Sequence, residues 1–75
     1  MKANYYELQV YVPQKGYTTV FAYVGNRSNA NRKFRSFIKD QFSLPSHVFR
    51  VRTFSNVHTA IAESPSRVTP FYPQR

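Results

Sequence analysis

The chain contains no cysteine, only three acidic residues and no long apolar run. The absence of cysteine excludes a disulfide framework and any thiolate metal site, and it predicts a reducing compartment. No stretch approaches the roughly 18 apolar residues of a membrane span, and the N-terminal residues lack the apolar segment of a signal peptide. We therefore expect a cytoplasmic protein that has no membrane partner.

Positive charge is what the chain has in excess. Eleven Lys and Arg oppose three Asp and Glu, which leaves a formal charge of +8 on 75 residues. Aromatic residues make up 17% of the chain and hydrophobic residues 41%, which is too apolar for a disordered basic tail. Because a chain this short has room for one thin core, we expect a small single domain with an anionic partner.

Alternation of apolar and polar residues predicts a β-hairpin at the start of the chain. Residues 5–12 and 17–24 each alternate with period two, as half-buried strands do. Pro13 and Gly16 favour a type I turn whose exit has a positive φ. One side of the second strand consists of the smaller residues Thr18, Val20, Ala22 and Val24. We assign this side to the core, because the following helix supplies bulky phenylalanines that need space. The opposite orientation is the alternative.

An amphipathic helix is predicted over residues 30–42, with Ser28 or Asn29 as its N-cap. Its apolar side contains three phenylalanines, and its opposite side is basic. The helix must end before Pro45, because the residue that precedes a proline is disfavoured in the α conformation.

The rest of the chain predicts one further strand and weaker elements. Residues 47–54 alternate again, and the pattern after Ser55 fits either a short helix capped by that residue, which we favour, or a strand. From residue 64 onward, prolines punctuate an extended tail that cannot form a central strand. We expect a basic α+β domain over 1–63 and a tail over 64–75 that is either loose or docked.

Together these elements predict an α+β fold of ββαβ type. A right-handed crossover through the helix gives a three-stranded antiparallel sheet of order 2-1-3, with the helix on one face. The other face is the first candidate site, and its expected residues are aromatic or basic: Tyr5, Tyr11, Tyr17, Phe21, Tyr23, Arg50 and Arg52. Bases stack on aromatic rings and arginines neutralise phosphates, so such a face suits single-stranded nucleic acid.

The alternative for this face is that other protein covers it. An uncovered aromatic patch of that size is unusual for a monomer, so the C-terminal segment or a second copy of the chain in a homodimer is expected to shield it. Glu7 is also expected to pair with Arg50 or Arg52 across neighbouring strands, which would weaken the stacking interpretation.

The second candidate site is the start of the helix and its basic ridge. Helix N-termini favour anions, yet this segment is basic and has no acidic residue before Asp40. The expected phosphate ligands are Arg27, Ser28, Asn29, Arg32, Lys33, Arg35 and Lys39. The alternative is a solvated loop and helix face, and the GKS or GKT ending of a nucleotide-binding loop is absent.

Residues for catalysis are few. His47 and His58 are the only histidines, and nothing in the sequence brings them together. The three carboxylates are scattered, so they do not predict a two-metal site. We expect no catalytic residues, no metal, no cofactor and no enzymatic activity.

Two functions remain. The leading hypothesis is a non-enzymatic nucleic-acid-binding module that favours single-stranded RNA or DNA, although neither the glycine–aromatic motif of RNA-recognition domains nor a GxxG loop is present. The alternative is a small inhibitor or accessory subunit, of the kind viruses and mobile elements encode, which docks on an acidic surface of a nucleic-acid-handling complex. Aromatic residues and arginine dominate both kinds of interface.

Overall fold

The computed structural model describes residues 4–41 and 48–72. The elements within these ranges are β1 (Asn4–Val12), β2 (Gly16–Gly25), α1 (Arg27–Gln41), β3 (Phe49–Phe54), α2 (Val57–Ile61) and β4 (Arg67–Phe71). Phe42, the terminating segment 43–46 and His47 lie outside the described residues. The predicted end of the helix and start of the third strand therefore fall there.

The four described strands form one antiparallel sheet of order β2-β1-β3-β4. The α+β class and the order 2-1-3 are confirmed, whereas the expectation of three strands was wrong. β4 comes from the proline-containing tail. Pro70 is compatible with it because β4 lies at the sheet edge, where a missing N–H breaks no central ladder, and Phe71 is buried.

The turn between β1 and β2 differs in type from the prediction. The Lys15 N–H donates to the carbonyl of Val12 at 3.0 Å, and Gln14 between them has φ of 73°. A positive φ at the third position is the mark of a type II turn rather than type I. Gly16 has φ of 85°, which is the positive value expected at the exit.

A β-bulge in β2 reverses the orientation of the strand partway along its length. Leu8 pairs with Phe21, but the next residue of β1, Gln9, pairs with Thr19, so Val20 is the extra residue. Beyond the bulge Phe21 points toward α1, whereas before it Tyr17 points to the opposite face of the sheet. A single alternating pattern cannot describe both halves of the strand.

This bulge makes the predicted core side of β2 wrong in the second half of the strand, whereas before it Thr18 pairs with buried Val10 and Val20 packs against the core, as predicted. Phe21 stacks on Phe37 with 4.9 Å between ring centroids and meets Phe34 edge-on at 5.7 Å. Ala22 and Val24 are exposed on the other face instead of buried. The physical reason is area, because large rings gain more than Ala or Val from burial under the helix.

The core lies between α1 and one face of the sheet, which we call the helix face; the opposite face is the far face. Buried α1 residues Ala30, Phe34 and Ile38 form one core cluster with buried residues of β1, β3 and β4 and partly buried residues of β2. The buried sheet residues of this cluster are Tyr6, Leu8, Val10, Phe49, Val51 and Phe71. A helix about 10 Å wide covers roughly two strands spaced about 4.8 Å apart. α1 contacts β2 and β1 and leaves Arg67 and Thr69 of β4 exposed on the helix face, whereas Phe49, Val51 and Phe71 are buried.

Both helices begin at a different cap from the one predicted. The Asn29 N–H donates to Asn26 Oδ1 at 2.8 Å, so Asn26 caps α1, and the helix starts three residues before residue 30. Several neighbouring polar residues can serve as a cap, and the chain turns into the helix directly after the sheet ends at Gly25. α2 is a helix, as favoured, with Asn56 and Thr59 in a capping box. Among the described residues, no helix is long and apolar enough to cross a bilayer.

Candidate functional site

The far face brings together five of the seven predicted stacking residues. Register places Tyr5 and Tyr11 of β1, Tyr17 of β2, and Arg50 and Arg52 of β3 on this face. The prediction was wrong for Phe21 and Tyr23, because the bulge turns both side chains toward α1 on the helix face.

Arg52 is occupied by acidic partners. Its Nε and Nη2 donate to one carboxylate oxygen of Glu7 at 3.1 and 2.6 Å, and Nη1 donates to Glu63 at 3.0 Å. Burial alone lowers the pKa of the Arg52 guanidinium, but hydrogen bonds and charge attraction from both carboxylates outweigh it and raise the pKa above its usual value. Because two carboxylates neutralise its guanidinium, Arg52 should attract a phosphate only weakly.

One end of the far face is closed by the chain itself. Phe54 is fully buried on this face and meets the Tyr5 ring edge-on at 5.9 Å. α2 contacts β3, and Glu63 after it reaches across to Arg52. The segment after β3 thus shields this end, as the alternative interpretation expected, and Tyr5 serves packing here.

At the other end of the far face, two rings and a cation remain accessible. The Arg50 guanidinium lies 3.8 Å from the centroid of the Tyr17 ring, and Tyr11 meets Tyr17 edge-on at 5.4 Å. Tyr11 is 47% exposed. We call these three residues the Tyr11–Tyr17–Arg50 cluster.

On the helix face, a cavity of about 280 Å³ lies between the start of α1 and the β3–β4 edge of the sheet. It forms where α1 does not cover Thr53, Arg67 and Thr69. The polar residues that line it are Arg27, Asn31, Thr53, Arg67 and Thr69, with Tyr6, Val51, Pro70 and Phe71 as the remaining wall. We call it the basic groove.

Two arginines from distant parts of the chain line the basic groove. Arg27 is the first residue of α1, and Arg67 is the first residue of β4. Asn31 lies one helical turn after Arg27 and lines the same wall. Arg35 follows four residues later, and its guanidinium lies 5.7 Å from the ring centroid of Phe71 at the groove wall.

None of the described residues that line this groove is acidic. Glu7 and Glu63 are bound to Arg52 on the far face. Asp40 lies thirteen residues after Arg27 on α1, about 20 Å along the helix axis and beyond the Debye length of about 8 Å at physiological salt. The positive charge of the groove is therefore not neutralised by the protein's own carboxylates.

The predicted basic segment is divided between two sides of α1. At 100° per residue Arg32, Arg35 and Lys39 share one side, as expected, and all three are exposed. Lys33 lies on the other side, with its Nζ 5.7 Å from the centroid of the Tyr23 ring. Of the five predicted cations, Arg27 lines the groove and Arg35 lies at its wall, whereas Arg32 and Lys39 lie on the exposed side of the helix.

The two predicted neutral donors are not among the residues that line the groove. Ser28 is exposed in the first turn of α1, and the Asn29 backbone N–H is already bonded to Asn26. The sequence interpretation missed Arg67, Thr69 and Asn31. The alternation of Arg67, Thr69 and Phe71 on one side of a short strand was the available signal, but the prolines of the tail obscured it.

The described residues contain no group of three or more His, Asp or Glu side chains able to hold a metal ion. His58 is exposed on α2, and His47 lies outside the described ranges. Comparison of the chain with protein-family models, curated proteins and solved structures gives no match.

Proposed function

We propose that this protein is a non-enzymatic nucleic-acid-binding module that holds backbone phosphates in the basic groove. One observation carries the proposal: Arg27 and Arg67, forty residues apart in sequence, line one cavity that no carboxylate enters. Two like charges beside one recess repel each other, and a bound anion offsets that repulsion because both arginines attract it. Phosphates also accept hydrogen bonds from neutral donors such as Asn31, Thr53 and Thr69.

The helix geometry adds to this attraction. The N-terminus of α1 carries a partial positive charge, and Arg27 is its first residue. No acidic residue occupies the first turn, although an acid there would favour stability. The ridge of Arg32, Arg35 and Lys39 extends the basic surface beyond the groove and can contact further phosphates of the same backbone.

The test is fluorescence anisotropy of labelled 12-nucleotide RNA, single-stranded DNA and duplex DNA at several salt concentrations. Wild-type affinity should fall as salt rises, since bound phosphates release counterions. The double variant Arg27→Gln with Arg67→Gln should bind weaker and show a salt slope smaller by about 1.4 on single strands, at about 0.7 per phosphate contact.

Lys33→Gln is the control, because it removes one charge from the same helix on the side away from the groove. Arg27→Gln should weaken binding several-fold more than Lys33→Gln does. Equal losses would mean that net charge, not the groove, binds the polyanion. Absence of binding by the wild type at about 50 mM salt would overturn the proposal.

A second candidate function is the protein-binding inhibitor or accessory subunit. Its support is exposed apolar surface on α2, where Ile61 is 76% exposed and Val57 lies four residues away on the same side. Val68 is also exposed on the far face. Apolar side chains next to a basic surface suit a partner with acidic residues around an apolar centre.

Nuclease treatment separates the two candidates. A partner captured from lysate that survives nuclease and is lost with Ile61→Lys supports protein binding. A partner that disappears with nuclease and is lost with the Arg27 and Arg67 double variant supports the groove. A homodimer through the far face is compatible with either function, and light scattering tests it.

A further inference from the structure

The Tyr11–Tyr17–Arg50 cluster lies apart from the basic groove and has the features of a second recognition site. The guanidinium carbon of Arg50 lies 3.8 Å from the centroid of the Tyr17 ring, a distance typical of stacking between a guanidinium and an aromatic ring. The cluster lies at the end of the far face opposite to the closed end around Phe54.

Arg50 is held in this position by hydrogen bonds from the sheet. Its Nε donates to Gln9 Oε1 at 2.6 Å, and Gln9 Nε2 donates to Thr19 Oγ1 at 3.1 Å. Gln9 is itself buried. The guanidinium plane is therefore oriented before any ligand arrives, which reduces the entropy lost on binding.

The charge of Arg50 is not neutralised by an acid. Both ion pairs of the described chain belong to Arg52, with Glu7 and Glu63 as partners. The third acidic residue, Asp40, is exposed near the end of α1. Arg50 thus combines a fixed plane and an unpaired charge, whereas its neighbour Arg52 has two carboxylates.

We propose that the Tyr11–Tyr17–Arg50 cluster binds one unpaired nucleobase, so that the protein prefers single strands to duplexes. The inference rests on the proposed function. Unpaired bases stack on aromatic rings and on guanidinium planes. A base that stacks on the Tyr17–Arg50 pair, with Tyr11 beside it, should raise the affinity for a single strand about 5- to 150-fold over binding without this contact. A duplex cannot supply this contact, because its bases are paired and stacked internally.

One strand can contact both sites by passing over the β4 edge of the sheet. Pro70 lines the basic groove and is also the register partner of Arg50. β3 and β4 are neighbours at a spacing of about 4.8 Å. The Arg50 guanidinium lies over Tyr17 of β2, so a backbone held by Arg67 in the groove crosses β4 and then β3 before it reaches the cluster.

The test compares binding of a 12-nucleotide single strand with that of the 12-base-pair duplex by fluorescence anisotropy. Arg50→Lys keeps the charge and removes the plane, and Tyr17→Leu removes the ring beneath it. Each should weaken single-strand binding at least 5-fold, leave duplex affinity within about 2-fold and leave the salt slope unchanged. Tyr17→Phe keeps the ring and should bind as wild type.

The outcomes distinguish this inference from the function on which it rests. If Arg27→Gln weakens binding but Arg50→Lys and Tyr17→Leu bind the single strand as wild type, the base site is overturned and the groove stands. Equal losses for single strand and duplex also overturn it. If the wild type binds neither oligonucleotide, both proposals fail. Circular dichroism of each variant confirms that a loss of binding is not a loss of fold.

Discussion

Arg52 donates two hydrogen bonds to a single carboxylate oxygen of Glu7, from Nε at 3.1 Å and from Nη2 at 2.6 Å. The two residues are direct partners on neighbouring antiparallel strands. Their side chains are only 15% and 12% exposed. This ion pair divides the far face, because it separates the closed end around Phe54 from the accessible Tyr11–Tyr17–Arg50 cluster.

Replacing Glu7 should destabilise the protein strongly. Glu7→Gln leaves the half-buried Arg52 guanidinium with only the exposed Glu63, and loss of one partner of a largely buried ion pair costs about 3 kcal/mol. Urea unfolding followed by circular dichroism measures the change. Glu63→Gln is the control and should cost less than about 1 kcal/mol, because Glu63 is mostly solvated. Equal losses for the two variants would contradict this account.

The N-cap of α1 should be sensitive at Asn26 and not at Ser28. Asn26→Ala removes the acceptor for the Asn29 N–H and should cost about 1 kcal/mol of stability. Ser28→Ala lies within the helix and should change stability by less than about 0.5 kcal/mol. Thermal unfolding of both variants measures the difference. A larger loss of stability for Ser28→Ala than for Asn26→Ala would indicate that the helix begins later, with Ser28 as its cap.

The bulge in β2 predicts which side chains of that strand support the core. Phe21→Ala should cost about 3 kcal/mol, because the ring packs on Phe34 and Phe37. Val24→Ala should cost less than about 1 kcal/mol, since Val24 is 56% exposed. Denaturant unfolding compares the two. The reverse order of losses would mean that the strand presents its other side to the helix.

β4 should be attached to the domain mainly by Phe71. This ring is buried and meets Phe34 edge-on at 6.0 Å. Phe71→Ala should cost about 3 kcal/mol and increase amide exchange in β4. Val68 on the same strand is exposed, so Val68→Ala should lower the free energy of unfolding by less than about 1 kcal/mol. Unchanged exchange in β4 of the Phe71 variant would show that backbone pairing alone holds the strand.

Much of the fold could be predicted because its signals are local. Alternation over residues 5–12 identifies β1, and the spacing of Phe34, Phe37 and Ile38 identifies the side of α1 that faces the sheet. The candidate site could be predicted only in part. Residue type and position identified Arg27, Arg35 and Arg50. Arg67 was missed, because the prolines around it concealed the strand to which it belongs.

The sequence by itself determined the first two strands, the helix between them and the third strand, and the excess of positive charge, because helix periodicity and strand alternation act over a few positions. The order of these three strands followed from the handedness of the crossover. Tertiary structure alone decided which arginines have acidic partners and which residues line the basic groove. Arg52 and Glu7 are 45 residues apart, so their pairing follows from strand register. The groove exists because α1 does not cover the part of the β3–β4 edge at Thr53, Arg67 and Thr69, and this depends on how the elements pack rather than on any local pattern.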